Sequence, residues 1–265
     1  MGIFIGEQAV TMAYLGDLPI ATNKTFLSEG LITGSSIYFN AALPESYPGT
    51  GNYIYSADGN NITGSNPSGP TLDSFWDSNG YFLFDQDDAY QITANIDTPK
   101  FVDMFSTSGS FTWDYWATID STNPLAGFDN VGIVVIPSLV GIVDYWGSLI
   151  SRGSSIGGIT TYTTDGTYSA GSIGVTTGQW FNIQIVRDIT NVKVYSNGVQ
   201  IGSFTDGGNW FSTNTAYRTL TIGEGNTSLY AYPHDGKWGS LLGYDRALTE
   251  YELLQNRIYL SQFFN

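Results

Sequence analysis

GQWFNIQIVRDITNVKVYSNGVQIGSF, residues 178–204, reads as three antiparallel strands. Phe181, Ile183 and Ile185 alternate with Asn182 and Gln184, which makes one face apolar and the other polar. Asp188-Ile189-Thr190-Asn191 is turn-forming, and Val192 and Val194 then alternate with Lys193 and Tyr195. Asn197-Gly198 is a strong hairpin signal, because a type I′ turn needs positive φ at both central residues. Val199, Ile201 and Phe204 continue the third strand.

Outward from this meander the same β grammar continues. Tyr81 to Phe84 and Ala89 to Ile92 flank an acidic turn, and Phe111, Trp113 and Tyr115 fall on one face of a strand with Trp116 opposite. Val131 to Ile150 is the most apolar stretch, but Pro137, Gly141 and Asp144 interrupt it, so it reads as two buried strands and not a membrane span. A Gly/Ser/Thr-rich hairpin is expected around Thr164-Asp165-Gly166, and strands are expected at Ser36–Phe39, Tyr53–Tyr55 and Thr219–Gly223. Thr249 and Glu252 have capping-box spacing for a short helix from Glu250 to about Ile258.

These residues carry a resemblance. Gly178-x-Trp180, an alternating strand, Arg187-Asp188, then Val192-x-Val194-Tyr195-x-Asn197-Gly198-Val199 resembles the concanavalin A-like lectin and laminin-G superfamily. Phe111-Thr112 with Trp116, Leu220-x-Ile222-Gly223 and above all Tyr244-x-Arg246-Ala247-Leu248-Thr249 resemble further strands of that family. At His234-Asp235-Gly236 the correspondence is loose, because the family has Phe where His or Pro stands here. The resemblance spans roughly residues 75–260. It implies an all-β, concanavalin A-like jelly-roll sandwich, assigned to 23–265; the residues themselves add a short N-terminal β-hairpin anchor over 1–22 and one short C-terminal helix.

Composition excludes several chemistries. The chain has 265 residues, no cysteine and a net charge of −15 with nine Lys and Arg, which leaves no disulfides, no thiolate site and no phosphate-binding stripe for nucleic acid. Neither a basic n-region nor an apolar h-region opens the chain, so no signal peptide is expected and no membrane insertion. Some superfamily members are glucanases that use Glu-x-Asp-x-x-Glu on one strand. None of Glu7, Glu29, Glu45, Glu224, Glu250 and Glu252 has that spacing, and the single histidine, His234, lacks partners for zinc or a triad. The protein reads as non-enzymatic, with no cofactor required.

Residues 1–22 contain an internal repeat: Phe4-Ile5-Gly6-Glu7 through Val10 aligns with Tyr14-Leu15-Gly16-Asp17 through Ile20. Each Gly-acid pair between apolar residues marks a tight turn, and so small a unit must pack on something else. It reads either as an edge hairpin of the sandwich or as a docking element through Phe4, Ile5, Tyr14, Leu15 and Ile20. The pattern resembles the N-terminal segments of tailed-bacteriophage virion proteins. That resemblance implies a head decoration or a tail or fibre component on the virion surface, with other virion proteins and its own copies as partners.

Glycan binding needs exposed aromatic platforms beside polar groups. Trp76, Trp146, Trp210, Tyr230, Tyr232 and Trp238 stand beside Gly, Asn, Ser or Asp, and serve either as sugar platforms for host-surface glycans or as interface anchors. Calcium stays open: family relatives hold it with loop Asp and Asn, for which Asp85, Asp87, Asp88, Asp129, Asn130 and Asp206 are the candidates, the alternative being solvated acidic loops. Two other readings remain: a free bacterial carbohydrate-binding module, and a divergent glycoside hydrolase.

Overall fold

The computed structural model describes residues 3–5, 8–15, 18–22, 30–66, 69–84, 92–106, 108–119, 130–137, 145–152, 156–163, 166–169, 176–205, 219–223, 234 and 236–264; for 3–22, 93, 130–169, 219 and 221 the description is of backbone alone. Strands β1 (Ile3–Ile5), β2 (Gln8–Leu15) and β3 (Leu18–Thr22) pair with one another in a separate antiparallel sheet. The expected hairpin is therefore a three-stranded meander. Each of the two Gly-acid pairs falls between two of these strands in the sequence.

The remaining strands are β4 (Ile37–Asn40), β5 (Ile54–Tyr55), β6 (Thr63–Ser65), β7 (Trp76–Asp77), β8 (Tyr81–Phe84), β9 (Ile92–Asn95) and, after helix α1 (Pro99–Met104), β10 (Phe111–Ala117). Then follow β11 (Asn130–Pro137), β12 (Tyr145–Arg152), β13 (Ile156–Thr163), β14 (Gly166–Ser169), β15 (Phe181–Asp188), β16 (Asn191–Ser196) and β17 (Val199–Thr205). The chain ends with β18 (Thr219–Ile222), β19 (Gly236–Tyr244) and helix α2 (Glu250–Ser261). One sheet has the order β17-β16-β15-β10-β19-β8-β7 with β4 also on β19, and the other β14-β13-β12-β11-β18-β9-β6-β5. Together they make an antiparallel sandwich of the concanavalin A-like kind.

The meander forms as its turns dictate. Asn197 and Gly198 have φ of 49° and 83°, the pair of positive values that a type I′ turn requires. Phe111, Trp113 and Tyr115 of β10 join Phe181, Ile183 and Ile185 of β15 in the core, which reaches Ile54, Ile92 and Ile222 of the opposite sheet. Trp116 points the other way, into a second apolar cluster with Val186, Tyr195, Leu242 and Tyr244. Leu253, Leu260 and Phe264 cover that cluster, so α2 and the residues after it seal the outer face of this sheet. The predicted capping box is present: Glu252 N donates to Thr249 Oγ1 (3.3 Å) and Thr249 N to Glu252 Oε2 (2.8 Å). The helix runs one turn further than expected, because Leu260 is buried on it. α1 was not expected; six residues are too few to show a helical period, but its Pro99 occupies a first-turn position and Phe101 and Met104 enter the core.

The polar face of β15 is not a solvent face. Asn182 and Gln184 are buried under α2, where they donate to the two oxygens of Asp114 at 2.6 and 2.8 Å. Gln184 also donates to Leu253 O of the helix (2.9 Å). Asn256 donates to Tyr244 Oη (3.0 Å), and both bind the Ile32 backbone, which ties the preceding loop to the same seat. Burial pushes the Asp114 carboxyl up to about 6, against the opposing pull of its two amide donors and the Arg257 charge. The native state thus holds this proton more tightly than the unfolded chain does. The contribution favours the fold at low pH and is lost as pH rises through about 6. Across that window it amounts to roughly 3 kcal/mol. Asp114→Asn removes this dependence: the stability difference between variant and wild type, measured by urea unfolding, should grow in the variant's favour from pH 4 to pH 7.

Candidate functional site

At the β5 edge of the second sheet, period-two alternation sends Ile54 inwards and Tyr53 and Tyr55 outwards. Ile54 is fully buried, while Tyr53 and Tyr55 are 54% and 46% exposed. Gly64, opposite Ile54, makes this possible. A Cβ there would lie 2.7 Å from Ile92 Cγ2 and 2.9 Å from Ile54 Cγ2, so the bare backbone leaves room for both side chains. Tyr55 N donates to Ser46 O (2.8 Å) and its carbonyl accepts from Ser46 Oγ (2.7 Å), which fixes the strand from its free side. Tyr55 stands opposite exposed Thr63, and Gly64 pairs with Ala94, which sets Thr63 beside exposed Asn95. The result is two outward-facing tyrosines, Tyr53 just before β5 and Tyr55 in it, whose Cα atoms are about 7 Å apart in extended backbone, bordered by small hydrogen-bonding groups. It can stack on apolar ring faces and exchange hydrogen bonds at its rim.

A second concavity of about 560 Å³ lies beside the start of α2, over β15–β17. Its charged groups are turned on one another: Lys193 Nζ is 3.9 Å from Glu250 Oε1, and Tyr195 Oη donates to the same oxygen at 3.4 Å. Burial, with Glu250 adding to it, pushes the Tyr195 hydroxyl up to about 12, so it remains protonated at neutral pH. Bonds from Arg246 hold Glu252 down to about 2, and Thr249 adds to the effect. The carboxyl with a raised affinity for protons, Asp114, is sealed beneath α2 and is out of reach of any substrate. The described carboxyls with shifted titration thus do structural work.

The family model for the laminin-G type of the concanavalin A-like lectin/glucanases superfamily matches residues 87–253. The chain belongs to this superfamily. A search of curated proteins finds no match. Among solved structures, the binding domain of botulinum neurotoxin serotype D aligns with a TM-score of 0.57 at 15% identity, over 86% of this chain and 51% of that one. A Trypanosoma rangeli sialidase aligns with a TM-score of 0.57 at 12% identity, over 86% of this chain and 33% of that one. Domain 4 of the Geobacillus stearothermophilus extracellular arabinanase, solved with arabinotriose, aligns with a TM-score of 0.53 at 15% identity, over 84% of this chain and 98% of that domain. The chain thus spans about half of the neurotoxin domain and a third of the sialidase. At these identities the likeness is one of fold.

In this laminin-G-type sandwich one of the expected platforms is a core residue and a second packs against the core. Trp238 is fully buried and stacks on Phe82 at 6.0 Å, because β19 runs through the sheet interior with both faces covered. Trp76 is half-buried; its indole N–H donates to Ala41 O (3.1 Å), and its ring lies against Gly49 and 5.5 Å from Tyr47. It anchors a loop. Trp146 stands in β12 opposite Ile136, in a strand and not a loop. Trp210, Tyr230 and Tyr232 lie outside the described residues, as do Asp85, Asp87, Asp88, Asp129 and Asp206, while Asn130 opens β11. Phe4 and Ile5 fall in β1, Tyr14 and Leu15 in β2, and Ile20 in β3.

Tyr53 and Tyr55 were missed as site residues although their strand was expected. Two tyrosines flanking one isoleucine in a strand are the signal: the Ile must face the core, so both rings face out. They precede the residues the family model matches. Gly64→Ala should overpack Ile54 and Ile92, cost about 1–3 kcal/mol and shift β5. Thermal unfolding together with tyrosine solvent accessibility checks this, and a variant of unchanged stability would refute the role given to Gly64.

Proposed function

We propose that the chain is a non-catalytic, glycan-binding β-sandwich displayed on a bacteriophage virion, docked through β1–β3 and facing outwards with the Tyr53–Tyr55 face. The observation that carries the binding half is that exposed tyrosine pair on a rigid sheet edge bordered by Thr63 and Asn95. Arabinotriose was solved on a domain of the same shape, which supports sugar as the ligand class for this architecture. The non-catalytic half is supported by the shifted carboxyls described above, each committed to a cap, an ion pair or a sealed network.

The docking half rests on strand pairing. β1, β2 and β3 satisfy their ladders among themselves, and both sandwich sheets are complete without them. Together with the tandem repeat, this supports an autonomous adaptor on a self-sufficient display domain. Removing residues 1–22 should leave the far-ultraviolet circular dichroism of the sandwich and its cooperative unfolding intact, while abolishing incorporation into particles or self-assembly, measured by light scattering and particle microscopy. A truncated protein that still assembles would refute the docking role.

A further inference from the structure

The tyrosine face lies in a part of the chain without positive charge. Between Lys24 and Lys100 there is no Lys, Arg or His, while nine acidic residues fall in the same stretch. β5, β6 and β9, which build the face, all come from it. The described cationic side chains sit elsewhere and are engaged. Arg187 is fully buried and donates to Ser106 O, and Arg257 packs on Gly198 beneath the β16–β17 turn. Lys100 meets Asp245, Lys193 meets Glu250 and Arg246 meets Glu252, while Lys237 lies over the Tyr81 ring at 5.1 Å. Each of these belongs to α1, to the first sheet, or to α2 and the turn before it.

Recognition of a sialic acid, a uronic acid or a sulfated sugar calls for a cation or a cluster of N–H donors at the anion. The strands that build the face carry no cation of their own and the whole chain carries −15, so an incoming carboxylate would be repelled while losing its hydration. We infer that the Tyr53–Tyr55 face takes neutral oligosaccharides and rejects anionic ones. This rests on the glycan-binding reading given above and narrows it. The rings stack on the C–H faces of two neighbouring sugar units. Thr63 and Asn95 exchange hydrogen bonds with the sugar hydroxyls. Selectivity against anionic glycans comes from repulsion, an instance of specificity built by disfavouring the wrong partner.

The test is isothermal titration of the full chain with arabinotriose, cellotetraose, lactose, 3′-sialyllactose and tetragalacturonate, at low and physiological salt, with and without a chelator. The same series is run on Tyr53→Ala and Tyr55→Ala, whose exposed rings can be removed without opening the core. Binding of at least one neutral sugar, weakened about tenfold or more by either substitution and unchanged by chelation, is the expected result, with no uptake of the two anionic sugars. Binding of 3′-sialyllactose or tetragalacturonate that the tyrosine substitutions abolish would overturn the charge inference and leave the glycan site standing. Absence of binding to all five sugars, or binding that both substitutions leave intact, would overturn the site itself.

Discussion

One buried carboxylate organises the molecule's asymmetry. Asp114 lies in the middle of β10 with Asn182 and Gln184 of β15 bonded to its two oxygens, and nothing of it reaches solvent. An isolated charge in that position would be prohibitive. It persists because β15 supplies both amides, and α2 closes the site from above through the Leu253 carbonyl, which accepts from Gln184. The arrangement makes β10 and β15 two-faced: odd positions build the sandwich core, and even positions build the seat for the helix. The 30–32 loop, Tyr244 and Asn256 then fall into place around that seat.

Sealing one outer face leaves the Tyr53–Tyr55 corner of the other sheet for the proposed ligand. The helix, its cap and most described cations cluster on the β15–β19 sheet, where they satisfy one another. Among the described residues no helix lies over Tyr53 and Tyr55, and the β5–β6–β9 corner has no cation in its sequence and a fixed backbone. A rigid, uncovered aromatic pair loses little entropy on binding, which favours a well-hydrated ligand such as a sugar, whose net contact energy is small.

Much of the fold could be read from local pattern because the pattern was redundant. Asn197-Gly198, the Thr249–Glu252 box and the Phe111-Trp113-Tyr115 alternation each report a single backbone geometry, and all three recur in the structure. The site was less legible for a physical reason. Tryptophans beside glycine look like exposed platforms, yet Trp238 is placed by the sheet around it and Trp76 by a distant carbonyl at Ala41, neither of which a local window contains. Likewise the polar half of β15 gives no sign that a helix seventy residues later will bury it. Tyr53 and Tyr55 obey the alternation rule, since Ile54 between them must face the core, but tyrosine is so frequent in this chain that the pair does not stand out locally.

The central claim is that ligand meets this molecule at the open tyrosine corner and not beside the helix. Residue-resolved NMR of the full chain, following aromatic ring and backbone amide resonances during titration with arabinotriose as a neutral probe, locates the contact directly. The account predicts that Tyr53 and Tyr55 resonances shift with Thr63 and Asn95, while Trp238, Tyr195 and Lys193 stay still. Shifts confined to Lys193, Ser203 and Thr205, in the concavity beside α2, with silent tyrosines, would contradict it.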